Sequence, residues 1–240
     1  MKVAIIGAGR LGSSLNHMLK IKTVLVDKNT PIPTADIYWL TVRDSQITSA
    51  ARHIPRGAIV LHSSGALGLE ALPDHSQRAV LHPMMTFSGP QSLPQGAIPA
   101  TYECTPGLEK TILWLAEQAG FQACSISGDR ALYHAASVFA GNYASWLLEI
   151  GAVLLKQYDI PPSVGKKMLL PLALKSLQNA SSGSLSKILT GPIARGDENT
   201  IDKHKTALAD LSPELAQLYD QICLDIRRRL ELNHDICDNE

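Results

Sequence analysis

Short apolar runs, set apart by turn-forming residues, fill the first half of the chain. Lys2–Ile6, Thr23–Val26, Asp36–Val42 (DIYWLTV), Ala58–His62 (AIVLH) and Ala79–His82 (AVLH) each read as a buried strand. Leu11–Leu19 between the first two has helical spacing. Breakers such as NTPIPT at 29–34 and IPRG at 54–57 separate the runs. Strands alternating with helical or loop segments predict a parallel sheet. Ser88–Pro99 (SGPQSLPQGAIP) is predicted to be an irregular loop. Ala100–Cys104, a helix around Leu108–Ala119 and Phe121–Ile126 add one more strand–helix–strand unit.

The texture changes after Ser127. Asp129 to about Tyr158 has no proline, is rich in Ala, Leu and Val, and starts on a residue suited to cap a helix. A helix of ~30 residues runs ~45 Å at 1.5 Å each, longer than the sheet requires. Pro161-Pro162 ends it. Further helices are predicted at Val164–Leu177 (interrupted by Pro171), Leu185–Leu189, Ile201–Asp210 and Pro213 to about Leu232. The expected architecture is α/β, with a first domain at 1–127 and an all-helical second domain at 128–240.

Composition adds exclusions. Lys+Arg and Asp+Glu are both 22, so the formal charge is zero and no general attraction to nucleic acid or an anionic membrane is expected. The 45% hydrophobic and 18% charged content is that of a folded globular chain. The chain opens directly into a strand without a leader pattern. Its most apolar stretch, WLLEIGAVLL, carries Glu149 and is too short to span a bilayer. The four cysteines (Cys104, Cys124, Cys223, Cys237) lack zinc spacing, so reduced thiols, no metal site and a cytoplasmic setting are expected.

Gly7-Ala8-Gly9-Arg10-Leu11-Gly12 fits G-x-G-x-x-G, with a strand before it and an amphipathic helix after it. Gly7 permits the tight turn, Gly9 lets backbone approach a pyrophosphate, and Gly12 lets helix and strand pack closely. The helix N-terminus offers its N–H groups to phosphate. Asp27 follows the second strand, 20 residues after Gly7, where an acid accepts a ribose 2′-hydroxyl. The pattern predicts NAD or NADP, and the Asp27 carboxylate tilts the choice towards NAD, with Lys28 beside it as a partial offset. Val42, His62 and Ser63 end neighbouring strands and join Arg10 and Leu11 as expected cofactor contacts.

Four segments carry a resemblance that covers essentially the whole chain. They are His62-Ser63-Ser64-Gly65-Ala66, Leu81–Phe87 (LHPMMTF), Tyr133–Asn142 (YHAASVFAGN) and Leu189–Asp197 (LTGPIARGD), with Thr200 and His204 behind. Together they resemble Rossmann-like proteins whose C-terminal half is domain of unknown function 2520. That group is related to pyrroline-5-carboxylate reductase, the 3-hydroxyacid dehydrogenases and alternative-type ketopantoate reductases. The resemblance implies a Rossmann domain, a helical domain that mediates homodimerisation, and NAD(P)H-dependent chemistry. Where relatives read Val-Pro-Asp after the third strand, this chain has Val42-Arg43-Asp44.

Ligands of open α/β sheets bind beyond the carboxyl ends of the strands, where His62, Ser63, Ser64, His82 and Thr86 lie. Each histidine reads either as a hydrogen-bonded structural residue or as part of a nicotinamide and substrate platform. His134 and Asn142, eight residues apart on the long helix, are the catalytic candidates; a straight helix separates them by about 80°. The dehydrogenases place a lysine four residues before that asparagine, and this chain has Val138 there. The proton donor is then His134, another residue or water. Ser64, His82, Arg195 and Asp197 are the expected substrate contacts, Arg195 through its fork for a carboxylate. Asp197 and Thr200 read equally well as a helix cap. The expected activity is reduction of a small carboxylated carbonyl compound, ketopantoate first. Reduction of a cyclic imine, or a non-catalytic dinucleotide sensor, are the alternatives.

Overall fold

The computed structural model describes residues 1–237, with side chains to Glu231, so the Cys237 thiol lies outside it. The chain divides into two compact units, Met1–Ala144 and Ser145–Glu240. That division falls later than the residue-127 boundary expected from texture. The first two turns after Asp129 carry Arg130 and Tyr133, whose side chains bond to the sheet unit, and so belong with it.

The first unit holds β1 (Val3–Ile6), α1 (Arg10–Met18), β2 (Thr23–Val26), β3 (Ile37–Leu40), α2 (Ile47–Ala51), β4 (Ile59–His62), β5 (Arg78–Pro83), β6 (Ile98–Cys104), α3 (Glu109–Gln118), β7 (Phe121–Ser125) and α4 (Arg130–Val138). They form a seven-stranded sheet in the order β2-β1-β3-β4-β5-β6-β7. Strands β2, β1, β3, β4 and β5 are mutually parallel, as the alternating pattern predicts. The β6 strand corrects that pattern by running antiparallel to β5, with β7 parallel to β6. A parallel return needs a crossover, usually a helix, whereas residues 84–97 form an irregular loop that brings the chain straight back.

Period-two alternation sorts the strands between two apolar clusters, one on each face of the sheet. Val3, Ile5, Ile37, Trp39 and Leu61 join α1 and α3 residues such as Leu15 and Ile112 on one face. Ala4, Ile6, Tyr38, Leu40 and Val60 join Ile47 and Leu72 on the other. Burial on both faces is why these strands read as continuous apolar runs.

Asp129 caps α4 as expected, its Oδ1 accepting from the N–H groups of Ala131 at 2.8 Å and Leu132 at 3.4 Å. The long helix is not uniform. A π turn at Phe139–Tyr143 follows α4, before α5 (Ala144–Leu154) and a 3₁₀ turn to Tyr158. An extra residue per turn changes the phase, so the 80° expected between His134 and Asn142 does not apply. By length and composition the helical stretch Arg130–Tyr158 also contains a segment apolar enough to cross a membrane, which the ten-residue reading missed.

The second unit continues with α6 (Pro162–Ala180), α7 (Leu185–Ile188), α8 (Pro192–Arg195), α9 (Glu198–Leu211) and α10 (Pro213–Cys237). Pro162 starts α6 at a position where its missing N–H costs nothing. Pro171 was expected to interrupt this helix, yet α6 runs through it. One lost hydrogen bond is tolerated within a helix of 19 residues.

Candidate functional site

The β1–α1 turn requires glycine at both ends. Gly7 has φ +117°, and a Cβ there would lie 2.9 Å from the Thr41 carbonyl carbon. A Cβ on Gly12 would sit 1.9 Å from the Gly7 oxygen. Gly9, the N-cap of α1, differs: a Cβ there meets nothing within 4 Å. The helix start has no side-chain cap, so its N–H groups face that open space, a setting suited to an anion. Asp27 stands at the end of β2, where Oδ1 accepts from Thr30 Oγ1 at 2.6 Å and from the Asn29 N–H at 3.0 Å. Those bonds, the Thr30 hydroxyl foremost, hold its carboxyl below the usual carboxylate range.

Two clefts open beyond the strand ends. One, of about 500 Å³, is lined by Arg10, Leu11, Ser63, His82, Thr86 and Asn142 among others. The second, of about 430 Å³, is lined by His82, Met84, His134, Ser137, Val138 and Asn142 among others. His82, Met85, Thr86 and Asn142 belong to both, so the clefts meet at these side chains. The π turn carries Asn142 to this junction, a placement typical of functional sites.

His82 is the most constrained group there. Its Nδ1 lies 2.7 Å from Tyr133 Oη, which also accepts from Thr101 Oγ1 at 2.9 Å. The rings of His82 and Tyr133 meet edge to face at 5.5 Å, and those of His82 and His134 at 6.2 Å. A Cβ on Gly65 would lie 2.9 Å from His82 Nε2 and 2.5 Å from His134 Cδ2, so the two rings converge above that glycine. Burial pushes His82 down to about 4, helped by the positive charge of Arg130 and by His134. Arg130 is 7% exposed; Nη2 donates to the Ser64 carbonyl at 3.3 Å and Nη1 lies 3.7 Å from Glu103 Oε2.

Among the residues expected from sequence, Arg10, Leu11, Ser63, His82, His134 and Asn142 line the clefts. Others are engaged elsewhere. His62 is fully buried; Nε2 donates to the Gly68 carbonyl at 3.0 Å and Nδ1 accepts from the Ser64 N–H at 3.1 Å. Both ring nitrogens are thus used, and burial holds the ring neutral by lowering its pKa. Ser64 donates to Asp44 Oδ2 at 2.7 Å and accepts from the N–H groups of Ala66 and Leu67, which makes it a turn cap. Ser63 accepts from Trp39 Nε1 at 2.8 Å and donates to the Leu81 carbonyl at 2.9 Å, so it props the cleft wall. Val42 packs in the core cluster with Leu40 and Ile47. In the second unit, Asp197 caps α9, its two oxygens accepting from Thr200 N–H at 3.1 Å and Thr200 Oγ1 at 2.7 Å. Arg195 ends α8 and is exposed.

Sequence reasoning gave no role to Tyr133, Thr101, Arg130 and Ser137, although Tyr133 and Ser137 lie in the YHAASVFAGN segment. Ser137 lines the second cleft with its hydroxyl buried and without a partner among the described residues. Tyr133 sits one residue before His134, on the first turns of a capped helix. That position was the available signal for it. Thr101, on β6, reaches it only through the antiparallel return of that strand.

The glycine turn, the uncapped helix start, the acid after β2 and the sheet order define a Rossmann-like unit. The open cradle at Gly9 fits a pyrophosphate. The chain belongs to the family DUF2520, a domain of unknown function, which matches residues 98–226. No curated protein sequence matches it. Among solved structures it is similar to a candidate NADP oxidoreductase from Bacteroides fragilis, with TM-score 0.79 and 23% identity over 95% of this chain and 98% of that one. A protein of Thermotoga maritima gives TM-score 0.77 at 20% identity, covering 97% and 99%. The pyrroline carboxylate reductase of Plasmodium falciparum, solved with NADP bound, gives 0.60 at 13%, covering 96% and 98%.

Proposed function

We propose that the protein is an NAD(P)H-dependent reductase of a small carbonyl or imine compound. The observation that carries this reading is the junction of the two clefts at His82 and Asn142. One cleft begins at the glycine turn and suits the dinucleotide, and the other has the size and mixed polar and apolar lining of a small-molecule site. The similarity in fold to the pyrroline carboxylate reductase and the candidate NADP oxidoreductase supports the same class.

The N–H groups at the start of α1 would hold the pyrophosphate, and Asp27 the adenosine ribose. A reduced nicotinamide, when bound, supplies a hydride. The protein's own part is to orient the acceptor through Asn142 and Ser137, to exclude water, and to hold a hydrogen-bond donor at the developing negative charge. Among substrates, a carboxylated carbonyl such as ketopantoate comes first and a cyclic imine second. The test is oxidation of NADH and NADPH across a panel of 2-oxo acids and cyclic imines. Turnover of any member supports the class and identifies the subclass; dinucleotide binding with no turnover across the panel favours a sensor instead.

The homodimer expected from the helical half is retained as part of this proposal. Its support is α6, where Val164, Met168, Leu170, Leu172, Leu174 and Leu177 are all exposed. A second copy of the chain is the proposed cover.

A further inference from the structure

We infer that His82 delivers the proton of the reduction through Nε2, and that Tyr133 sets its tautomer and refills it from behind. The inference deepens the reductase reading and rests on it.

Hydrogen-bond bookkeeping carries the assignment. A tyrosine hydroxyl has one hydrogen to give, and a neutral imidazole has one donor and one acceptor nitrogen. Thr101 Oγ1 donates to Tyr133 Oη at 2.9 Å. The Tyr133 hydrogen then has His82 Nδ1, at 2.7 Å, as its acceptor. With Nδ1 accepting, the ring proton sits on Nε2. That nitrogen is the one above Gly65, on the ring that lines both clefts. The tautomer therefore carries its N–H on the ring edge over Gly65 and beside His134, a residue of the second cleft, and its basic nitrogen on the edge held by Tyr133.

The charges facing His82 favour the neutral ring. Arg130 and His134 face it from α4, His62 from β4 and Asp44 from the segment after β3; burial and the Arg130 charge outweigh the Asp44 carboxylate. Arg130 also lies over the Tyr133 ring, 5.5 Å from its centroid. A neutral imidazole is a poor acid by itself, because losing Nε2–H alone would leave an imidazolate. The relay avoids that outcome. As hydride adds to the carbonyl carbon, the C=O π pair moves to oxygen and the Nε2 proton passes to it. Tyr133 Oη gives its proton to Nδ1, so His82 stays neutral and Tyr133 becomes a phenolate bonded to Thr101. Nε2 then takes a proton from solvent and Nδ1 returns its proton to the Tyr133 phenolate, which restores the starting tautomer. Tyr133 never touches substrate, so it is a positioning and relay residue, and Thr101 orients it.

The decisive experiment is ¹⁵N NMR of the histidine side chains in the full-length protein, with His82 assigned by its loss in His82→Gln. The expected spectrum has His82 as the Nε2–H tautomer at pH 7, with a mixture of tautomers in Tyr133→Phe. Removing the positive charge in Arg130→Gln moves the His82 protonation midpoint to higher pH. An Nδ1–H tautomer in the wild type, or no tautomer change in Tyr133→Phe, overturns the inference. On a substrate found by the panel, Tyr133→Phe lowers kcat roughly 100-fold or more, within the range for general acids, and leaves KM little changed. Unchanged kcat in that variant, folded by circular dichroism, also overturns it. Thr101→Val gives a second, milder arm with the same direction. A wild type that turns over nothing refutes the reductase reading, whereas the tautomer alone decides the His82–Tyr133 pairing.

Discussion

The two units bury their apolar side chains very differently. In Met1–Ala144, strand residues on both sheet faces are sealed, with Val3, Ile5, Ile37, Trp39 and Leu61 among those fully covered. In Ser145–Glu240, the buried residues among those described are Ala152, Gly165, Ile201 and Cys223. Meanwhile α6 shows six large apolar side chains to solvent. A run of exposed apolar side chains of this size normally marks a surface that another molecule covers. The sheet of the first unit is sealed, although Leu132 and Phe139 on its last helical turns are exposed, and the second unit has surface that still wants cover. Predictions about the first therefore concern loss of contacts already made. Those about the second concern contacts that form only with something else present.

The contrast is sharpest in the core. Leu61→Ala, at a fully buried position on β4, leaves a cavity between strand and helix layers. It should lower the unfolding free energy by about 3 kcal/mol, the middle of the range for such truncations. Urea denaturation measures it, and a loss under 1 kcal/mol would mean the sheet core is looser than its burial indicates.

Two glycines of one turn separate folding from binding. Gly12 has no room for a side chain, whereas Gly9 faces open space. Gly9→Val should fold normally and lose dinucleotide affinity by about 100-fold or more, since the valine fills the pyrophosphate cradle. Calorimetric titration with NADH and NADPH reads it; unchanged affinity in the folded variant removes the assignment of this turn.

Protons act on the first unit too. His82 is held near 4 and His62 is also lowered, both chiefly by burial, so the unfolded chain binds more protons below the ordinary value of about 6.5. The stability these rings contribute is present above about pH 7 and is lost as pH falls through 6.5 towards 4. With partial exposure of His82 discounted, the loss is on the order of 2 kcal/mol. Denaturation at pH 7.5 and 4.5 tests it, and His82→Gln should flatten part of the slope.

Cofactor choice is a smaller effect. The hydrogen bonds of Asp27 favour its ionised carboxylate at the end of β2, and on the proposed reading that charge would repel a 2′-phosphate. Asp27→Ser should shift the NADPH-to-NADH affinity ratio by about tenfold, equivalent to ~1.4 kcal/mol. A wild type that already prefers NADPH strongly would show that Lys28 or another cation overrides the acid.

Much of the first unit was legible because its signals are local. Strands buried on both faces give apolar runs, and the glycine turn announces itself by spacing, so β1 to β5 and the residues Gly7, Gly9, Gly12 and Asp27 stand out in the chain. The site's polar network was not legible in the same way. Whether His62 or His82 faces a cleft depends on where the chain turns after each strand. After β4 a tight turn folds the backbone of Ser64 and Gly68 onto the His62 ring. After β5 the chain departs into a loop and leaves one edge of His82 open to the clefts. The His82–Tyr133 bond spans 51 residues and depends on where α4 sits, which no short-range pattern encodes. The π turn at Phe139–Tyr143 was hidden for another reason: its weak helix formers Gly141 and Asn142 sit inside a long helical run, and only the hydrogen-bond register distinguishes a π turn from an α turn.

The smallest effect tests the second unit and so the comparison itself. Leu172 on α6 is 66% exposed, and a leucine so placed contributes little to the stability of a lone chain. Leu172→Gln should change unfolding free energy by no more than about 0.5 kcal/mol at nanomolar concentration, as for an ordinary surface substitution. If a second copy covers α6, the cost grows with protein concentration, because the wild type gains stability by association and the variant gains less. Light scattering across the same concentrations should then show the wild type moving from monomer to dimer and the variant lagging behind. Leu61→Ala, by contrast, should carry the same monomer cost in both regimes. A Leu172→Gln effect that is small at every concentration, with a wild type that stays monomeric, would refute the homodimer and leave the apolar face of α6 to a different partner.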